Sequence, residues 1–260
     1  MERSFFDWVV YILQKYGMDL LKGTGTTMLI AVIGTVVGFL IGLLIGCIRT
    51  IPIGAKDKPL KKALLKLVNL LLNIYIEVFR GTPMMVQATV IYFGLMEAFG
   101  IDMSPLTAGL LVVSINTGAY MAEIVRGGIQ SIDRGQYEAA HALGLSHWGA
   151  MFNVILPQAI RNILPAIGNE FVVNIKDTSV LNVISVTELF FSTRSIKGAL
   201  ARTYEPFLIC GVIYLILTFT TTRILRLIEK KMDGPDSYTI LGSGSAATAP
   251  MKVLPKKGAH

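Results

Sequence analysis

Residues Gly23 to Ile48 contain no charged side chain. A helix of about 20 apolar residues crosses the roughly 30 Å hydrocarbon core of a bilayer, so this single run commits the chain to a membrane. Gly81 to Met96, Met103 to Ala122 and Pro206 to Thr222 are also free of charge. Backbone polar groups in lipid must be satisfied within the spanning segment, which favours helices. The sequence therefore predicts an all-α membrane protein. Charged residues are only 16% of the chain and hydrophobic residues 53%; a soluble domain averages about 25% charged.

The positions of the basic residues predict an orientation. Arg49, Lys56, Lys58, Lys61, Lys62 and Lys66 follow the first span, and Arg223, Arg226, Lys230 and Lys231 follow the last. Basic loops stay cytoplasmic, which puts the N-terminus outside and accounts for the net charge of +7 without a nucleic-acid partner. Five transmembrane helices are expected. The first covers Gly23 to Ile48. The second is Leu60 to Met96 with a break at Gly81-Thr82-Pro83. The third is Leu106 to Val125, the fourth Ile163 to Val186 and the fifth Pro206 to Thr222. Residues 1–22 carry Phe5, Phe6, Trp8 and Tyr11 and read as an N-terminal interfacial helix, with no signal-peptide pattern. The membrane domain is 23–231, and residues 232–260, rich in Gly, Ser, Ala and Pro, read as a disordered cytoplasmic tail. Arg194, Lys197 and Arg202 fall on the outer side, against the charge rule.

Polar side chains recur on the spans. Asn69, Asn73, Glu77 and Arg80 share one face of a helix. Glu77 and Arg80 suit an ion pair more than a substrate contact, and Gly81 and Pro83 mark a hinge. Asn116, Tyr120 and Glu123 are either glue between helices or the lining of a pathway. The fourth span holds Glu170, Lys176, Asp177, Thr178 and Ser179. Each ionisable group there costs about 2.5–3.5 kcal/mol unless it faces a polar interior. Lys176 and Asp177 project about 100° apart on a helix. They either read a substrate or serve gating or structural pairing, and Glu170 offers Lys176 an alternative partner.

Between the third and fourth spans lies a polar segment of about 134–157, with Glu138-Ala139-Ala140, Gly144 and Val154-Ile155-Leu156-Pro157. Small residues suit close docking, and glycine stops a helix. This pattern resembles the EAA loop of ABC-importer permeases, with Val154 where isoleucine is usual. Three further stretches, Tyr75 to Pro83, Asn116 to Ile129 and Lys176-Asp177-Thr178-Ser179, are similar to the polar amino acid uptake branch. The resemblance covers about Gly23 to Lys231. It implies a type I ABC-importer permease fold and a multi-pass place in a bacterial inner or plasma membrane. It implies transport of polar amino acids by alternating access, driven by a separate ATPase. Glu138, Ala139, Ala140, Gly144, Leu156 and Pro157 are then the ATPase-coupling residues, and Asn116, Tyr120, Lys176, Asp177, Thr178 and Ser179 belong to the substrate pathway. The implied partners are a second permease subunit (a copy or a paralogue), two cytoplasmic ATPase subunits, an extracytoplasmic substrate-binding protein and the lipid bilayer.

Several chemistries are missing from the sequence. It contains no Gly-x-x-x-x-Gly-Lys-Ser/Thr phosphate loop, so ATP and Mg²⁺ belong to a partner and no cofactor is expected in this chain. His141, His147 and His260 are isolated, which argues against a metal site, and Cys47 and Cys210 sit in apolar runs as buried thiols. No nucleophile–base set can be assembled, so the chain is not expected to be an enzyme. The rival function is a self-sufficient secondary transporter or channel. Such folds often carry internal repeats, and none is visible.

Overall fold

In a computed structural model the described residues are 4–54 and 58–232, and their regular structure is helical throughout. The 232–260 tail therefore lies almost wholly outside the described residues. Helix α1 (Phe5–Arg49) opens on a capping box in which Ser4 Oγ accepts from the Asp7 N–H and the Asp7 carboxylate accepts from the Ser4 N–H. It runs unbroken through Lys22 and Gly23, so the aromatic N-terminal stretch and the first span form one element. At 1.5 Å per residue it is about 67 Å long, roughly twice the bilayer core.

The second crossing is two helices, α2 (Pro59–Gly81) and α3 (Met84–Phe99). Pro83 holds the preceding Thr82 extended, at φ −121° and ψ 148°, as the ring of a following proline requires. Helix α4 (Pro105–Gln130) is capped by Ser104. Two short helices follow, α5 (Arg134–Ala142) and α6 (His147–Ala150). A π-turn at Met151–Ile155 leads into α7 (Leu156–Asp177), which tightens into a 3₁₀ segment at Thr178–Ile184. Helices α8 (Leu189–Leu200) and α9 (Tyr204–Met232) complete the described chain. Four helical stretches, α1, α4, the one containing α7, and α9, are long and apolar enough to span a membrane. The remaining expected crossing, the second, corresponds to the broken α2–α3 pair, of which α3 is a shorter apolar helix.

The most extensive helix–helix interface joins α1 to α4. Gly34, Gly38, Gly42 and Gly46 lie one turn apart on α1, against Val113, Thr117, Met121 and Val125 on α4. Without a hydrophobic drive between helices in lipid, close backbone approach at small residues supplies the packing energy. A buried polar bridge crosses this packing at α7. Asn174 Nδ2 donates to Thr35 Oγ1 (2.8 Å), and Thr117 Oγ1 donates to Asn174 Oδ1 (3.1 Å).

At the outer end α8 is wedged between the first turns of α1 and α9, around Ile12, Leu20, Leu189, Ile196 and Ile209. Glu188, completely buried, caps α8. Its carboxylate accepts from the Phe190 and Phe191 N–H groups at 2.8 and 2.6 Å and from the Tyr214 hydroxyl at 3.1 Å. This end also resolves much of the outer basic anomaly. Arg202 pairs with Glu205 and lies 4.8 Å over the Trp8 ring, and Arg194 donates to Asn182 Oδ1 at 2.7 Å.

Candidate functional site: a cytoplasmic helical loop and a charged span

The α5 loop is built by its caps. Asp133 accepts from the Gly135 N–H (2.7 Å) and starts the helix. Gly144, at φ +82°, ends it. The Leu145 N–H donates to Ala140 O and the Gly144 N–H to His141 O, the pair of bonds that closes a helix around a left-handed residue. Ala140 is buried and the Tyr137 hydroxyl reaches Met151 Sδ at 3.7 Å, which fastens one face of α5 to the body of the protein. Burial there pushes the Tyr137 phenol above its usual pKa. Glu138, Ala139, Ala142 and Gly144 point outward, and Leu143 is 83% exposed.

Beside α5 the rings of Trp148 and Phe152 stack with centroids 5.7 Å apart, and both are exposed. Sequence reasoning missed Leu143, Trp148 and Phe152. Their signal was three large apolar residues in a polar segment, all of them exposed. Leu156 and Pro157 do not share this surface in the same way. Leu156 is buried and Pro157 sits in the first turn of α7. Pro157 has no N–H to return to Asn153 and would crowd that carbonyl. The π-turn at Met151–Ile155 directly before it widens the backbone there. These two residues shape the exit of the loop.

Within the membrane the structure sorts the polar residues into two groups. Asn116 belongs to the packing. Both hydrogens of its buried amide are engaged, by Phe79 O (3.0 Å) and Gln87 Oε1 (2.9 Å). Gln87, a residue the sequence did not single out, donates in turn to Phe79 O and Thr82 O. It thereby satisfies carbonyls that the break at Gly81 and Pro83 leaves without helical partners. Of the two roles open to Asn116, glue is the one its contacts describe. Glu123 is likewise glue, bridging Arg49 and Arg126 at the cytoplasmic ends of α1 and α4. Thr178 is buried, its hydroxyl returned to Ile175 O.

The second group remains presented. The expected Glu77–Arg80 pair is not among the ion pairs of the described residues. Arg80 instead lies 5.3 Å from the Tyr120 ring centroid, a cation–π contact across α2 and α4. The alternative Glu170–Lys176 pair is likewise not among the ion pairs of the described residues. Glu170 and Asp177 are seven residues apart and share a face of α7. Lys176, at the helix end, turns toward a cavity of about 300 Å³ shared with Ser179, Phe190, Phe207 and Tyr214. Lys176 and Asp177 therefore stand where α7 changes to 3₁₀ winding, with Glu170 about 10 Å before them along the same helix.

The chain is a bundle of apolar spans with a short, capped, outward-facing helix between the third and fourth crossings. The chain belongs to the family described as binding-protein-dependent transport system inner membrane component, which it matches over residues 62–234. It is similar to the glutamine transport system permease protein GlnP of Escherichia coli K12. The two are 45% identical over 160 residues, 61% of this chain and 73% of that protein. It is also 37% identical over 164 residues to the arginine transport system permease protein ArtQ of Bacillus subtilis 168, covering 63% and 75% of the two chains. Among solved structures, a chain from the crystal structure of an amino acid ABC transporter with histidines superposes at TM-score 0.75. That chain is 38% identical and is matched over 89% of this chain and all of the other. A chain of the inward-facing MetNI methionine ABC transporter, 18% identical, shares the fold at TM-score 0.67. The protein is thus a permease subunit of an ABC importer in the bacterial inner membrane, and hydrolysis of ATP belongs to a separate ATPase subunit.

Proposed function

We propose that this chain moves polar amino acids into the cell by alternating access. Two permease chains, copies or paralogues, enclose the path. Two ATPase subunits bind ATP and Mg²⁺ below it, and a binding protein outside delivers the substrate. The observation that carries the coupling role is α5 itself: anchored on one face by Ala140 and Tyr137, stopped by Gly144, and presenting Glu138, Ala139 and Leu143 outward. A helix held in this way transmits a push from below as a rigid lever into α4 and α7.

The substrate class follows from the charged level of the span. A zwitterion brings one carboxylate and one ammonium. Lys176 and Arg80 are the cations available to the first, and Asp177 and Glu170 the anions available to the second. Tyr120 stands against Arg80, and Ser179 lines the cavity that Lys176 faces. Each ion is costly in lipid, and a charged ligand between them offsets part of that cost. The test is equilibrium binding and uptake of a panel of labelled amino acids by the assembled complex carrying Lys176→Ala, Asp177→Ala or Glu170→Gln. Assembly with the ATPase should survive while affinity falls. Unchanged affinity in all three variants would remove these residues from the pathway.

A further inference from the structure

A cleft of about 720 Å³ opens at the cytoplasmic end of the bundle, between the ends of α1 and α4 and the inner side of α5. Its size is that of a small-ligand site, roughly 300–1,000 Å³. Arg49, Arg134, His141 and His147 line it, and Glu138 is the one carboxylate among the described lining residues. Arg49 is already paired with Glu123. Arg134 is exposed at the first position of α5. His147 Nε2 is enclosed by protein yet meets no hydrogen-bond partner among the described residues. The His147 ring is held in place by stacking on Tyr137 at 12° between planes. A fixed, unmatched imidazole nitrogen beside a guanidinium is a donor set for an anion.

The surroundings indicate where that anion comes from. Helix α2 packs antiparallel to α4 through Leu72, Tyr75 and Ile76 against Ile45 and Ala122, so its first turns, about two turns before Leu72, reach the ends of α1 and α4 where the cleft opens. Leu60 and Leu64, on those turns, are 79% and 59% exposed. The cleft therefore lies where a basic loop meets apolar helix surface, at the level of the inner-leaflet headgroups. Basic pockets at the cytoplasmic ends of transmembrane helices favour anionic lipid headgroups. We propose that this cleft binds the phosphodiester headgroup of an anionic phospholipid, with Arg134 and His147 on the phosphate and the acyl chains along Leu60 and Leu64. A lipid so held ties α5 to α1 and α4, and thus braces the lever that meets the ATPase. The idea rests on the cytoplasmic placement of α5. It is read by binding rather than transport, so its failure leaves the uptake proposal standing, and the reverse also holds.

The experiment is native mass spectrometry of the detergent-purified permease–ATPase complex. It is titrated with dioctanoyl phosphatidylglycerol, dioctanoyl phosphatidylcholine or glycerol 3-phosphate. Phosphatidylglycerol should form a saturable adduct, and the other two should bind much more weakly. Arg134→Gln, which touches no core packing, should weaken that adduct about tenfold, as loss of one charge-assisted hydrogen bond does. Arg134→Glu should abolish it, and Arg194→Gln on the outer face should leave it unchanged. Equal binding of phosphatidylcholine, or wild-type binding by Arg134→Glu, would overturn the proposal. Glycerol 3-phosphate binding as well as the lipid would assign the cleft to a soluble phosphate ester instead. An adduct seen only after the ATPase is stripped would assign it to the protein interface.

Discussion

Replacing Gly42 with alanine probes the place where α1 comes nearest the backbone of α4. A Cβ at this position would stand 2.4 Å from Met121 Cβ, 2.6 Å from the Met121 carbonyl carbon and 2.7 Å from the Ala122 nitrogen. Ordinary contact begins at 3.4 Å, so α1 and α4 must part locally by about 1 Å (3.4 − 2.4). Two of the three obstacles are backbone, which no change of rotamer can move. Overpacking of this kind costs about 1–3 kcal/mol, and the separation also loosens Gly38 on Thr117 and Gly46 on Val125. Gly25→Ala is the control, since its Cβ would meet nothing within 4 Å. That variant should be neutral or up to about 1 kcal/mol more stable through helix propensity. The buried thiols Cys47 and Cys210 supply the assay: a thiol-reactive fluorogenic dye labels the permease band as the heated complex opens. Gly42→Ala should lower the midpoint by several degrees and Gly25→Ala should not. A Gly42→Ala midpoint equal to wild type would refute the close approach of α1 and α4.

Three further outcomes are expected. Gln87→Leu strips the Phe79 and Thr82 carbonyls of their amide donor and leaves Asn116 half satisfied; it should cost about 1–3 kcal/mol in the same dye assay, and Gln87→Glu, which sets a buried carboxylate oxygen against both carbonyls, should lose at least as much. Gly144→Val forces a β-branched residue into the left-handed region; uptake should fall at unchanged permease abundance, with ATPase activity no longer answering to substrate. A cysteine at Lys58 should react with a membrane-impermeant thiol reagent only in inverted vesicles, and labelling in intact cells would reverse the topology.

The crossings were legible because hydropathy reports the solvent, and the runs without charge are where the long helices lie. The break at Gly81 and Pro83 and the stop at Gly144 were legible because both follow from single-residue backbone limits. The continuity of α1 was hidden: Lys22 marks where charge ends, but a helix does not end because its solvent changes. The four-residue spacing of Gly34, Gly38, Gly42 and Gly46 was in plain sight, yet the partner helix was not. Arg80 meets the Tyr120 face rather than Glu77, and Lys176 lines a cavity with Phe207 and Tyr214 rather than pairing with Glu170. Such choices between partners depend on how helices sit across from one another, which spacing along one chain does not encode. Glu188 was passed over for the same reason, since its burial is made by Thr27 and Tyr214 from distant parts of the sequence.

The central claim is that the α5 loop converts ATP hydrolysis in a partner into movement of a polar amino acid through this chain. It is tested by uptake into proteoliposomes containing the full complex, with and without internal ATP and external binding protein, for wild type and Glu138→Lys. Wild type should accumulate labelled amino acid only when ATP and binding protein are both present, and Glu138→Lys should stay assembled in the membrane but accumulate none. Accumulation by the permease chain alone, without ATP or the ATPase, would contradict the claim and make the protein a self-sufficient transporter.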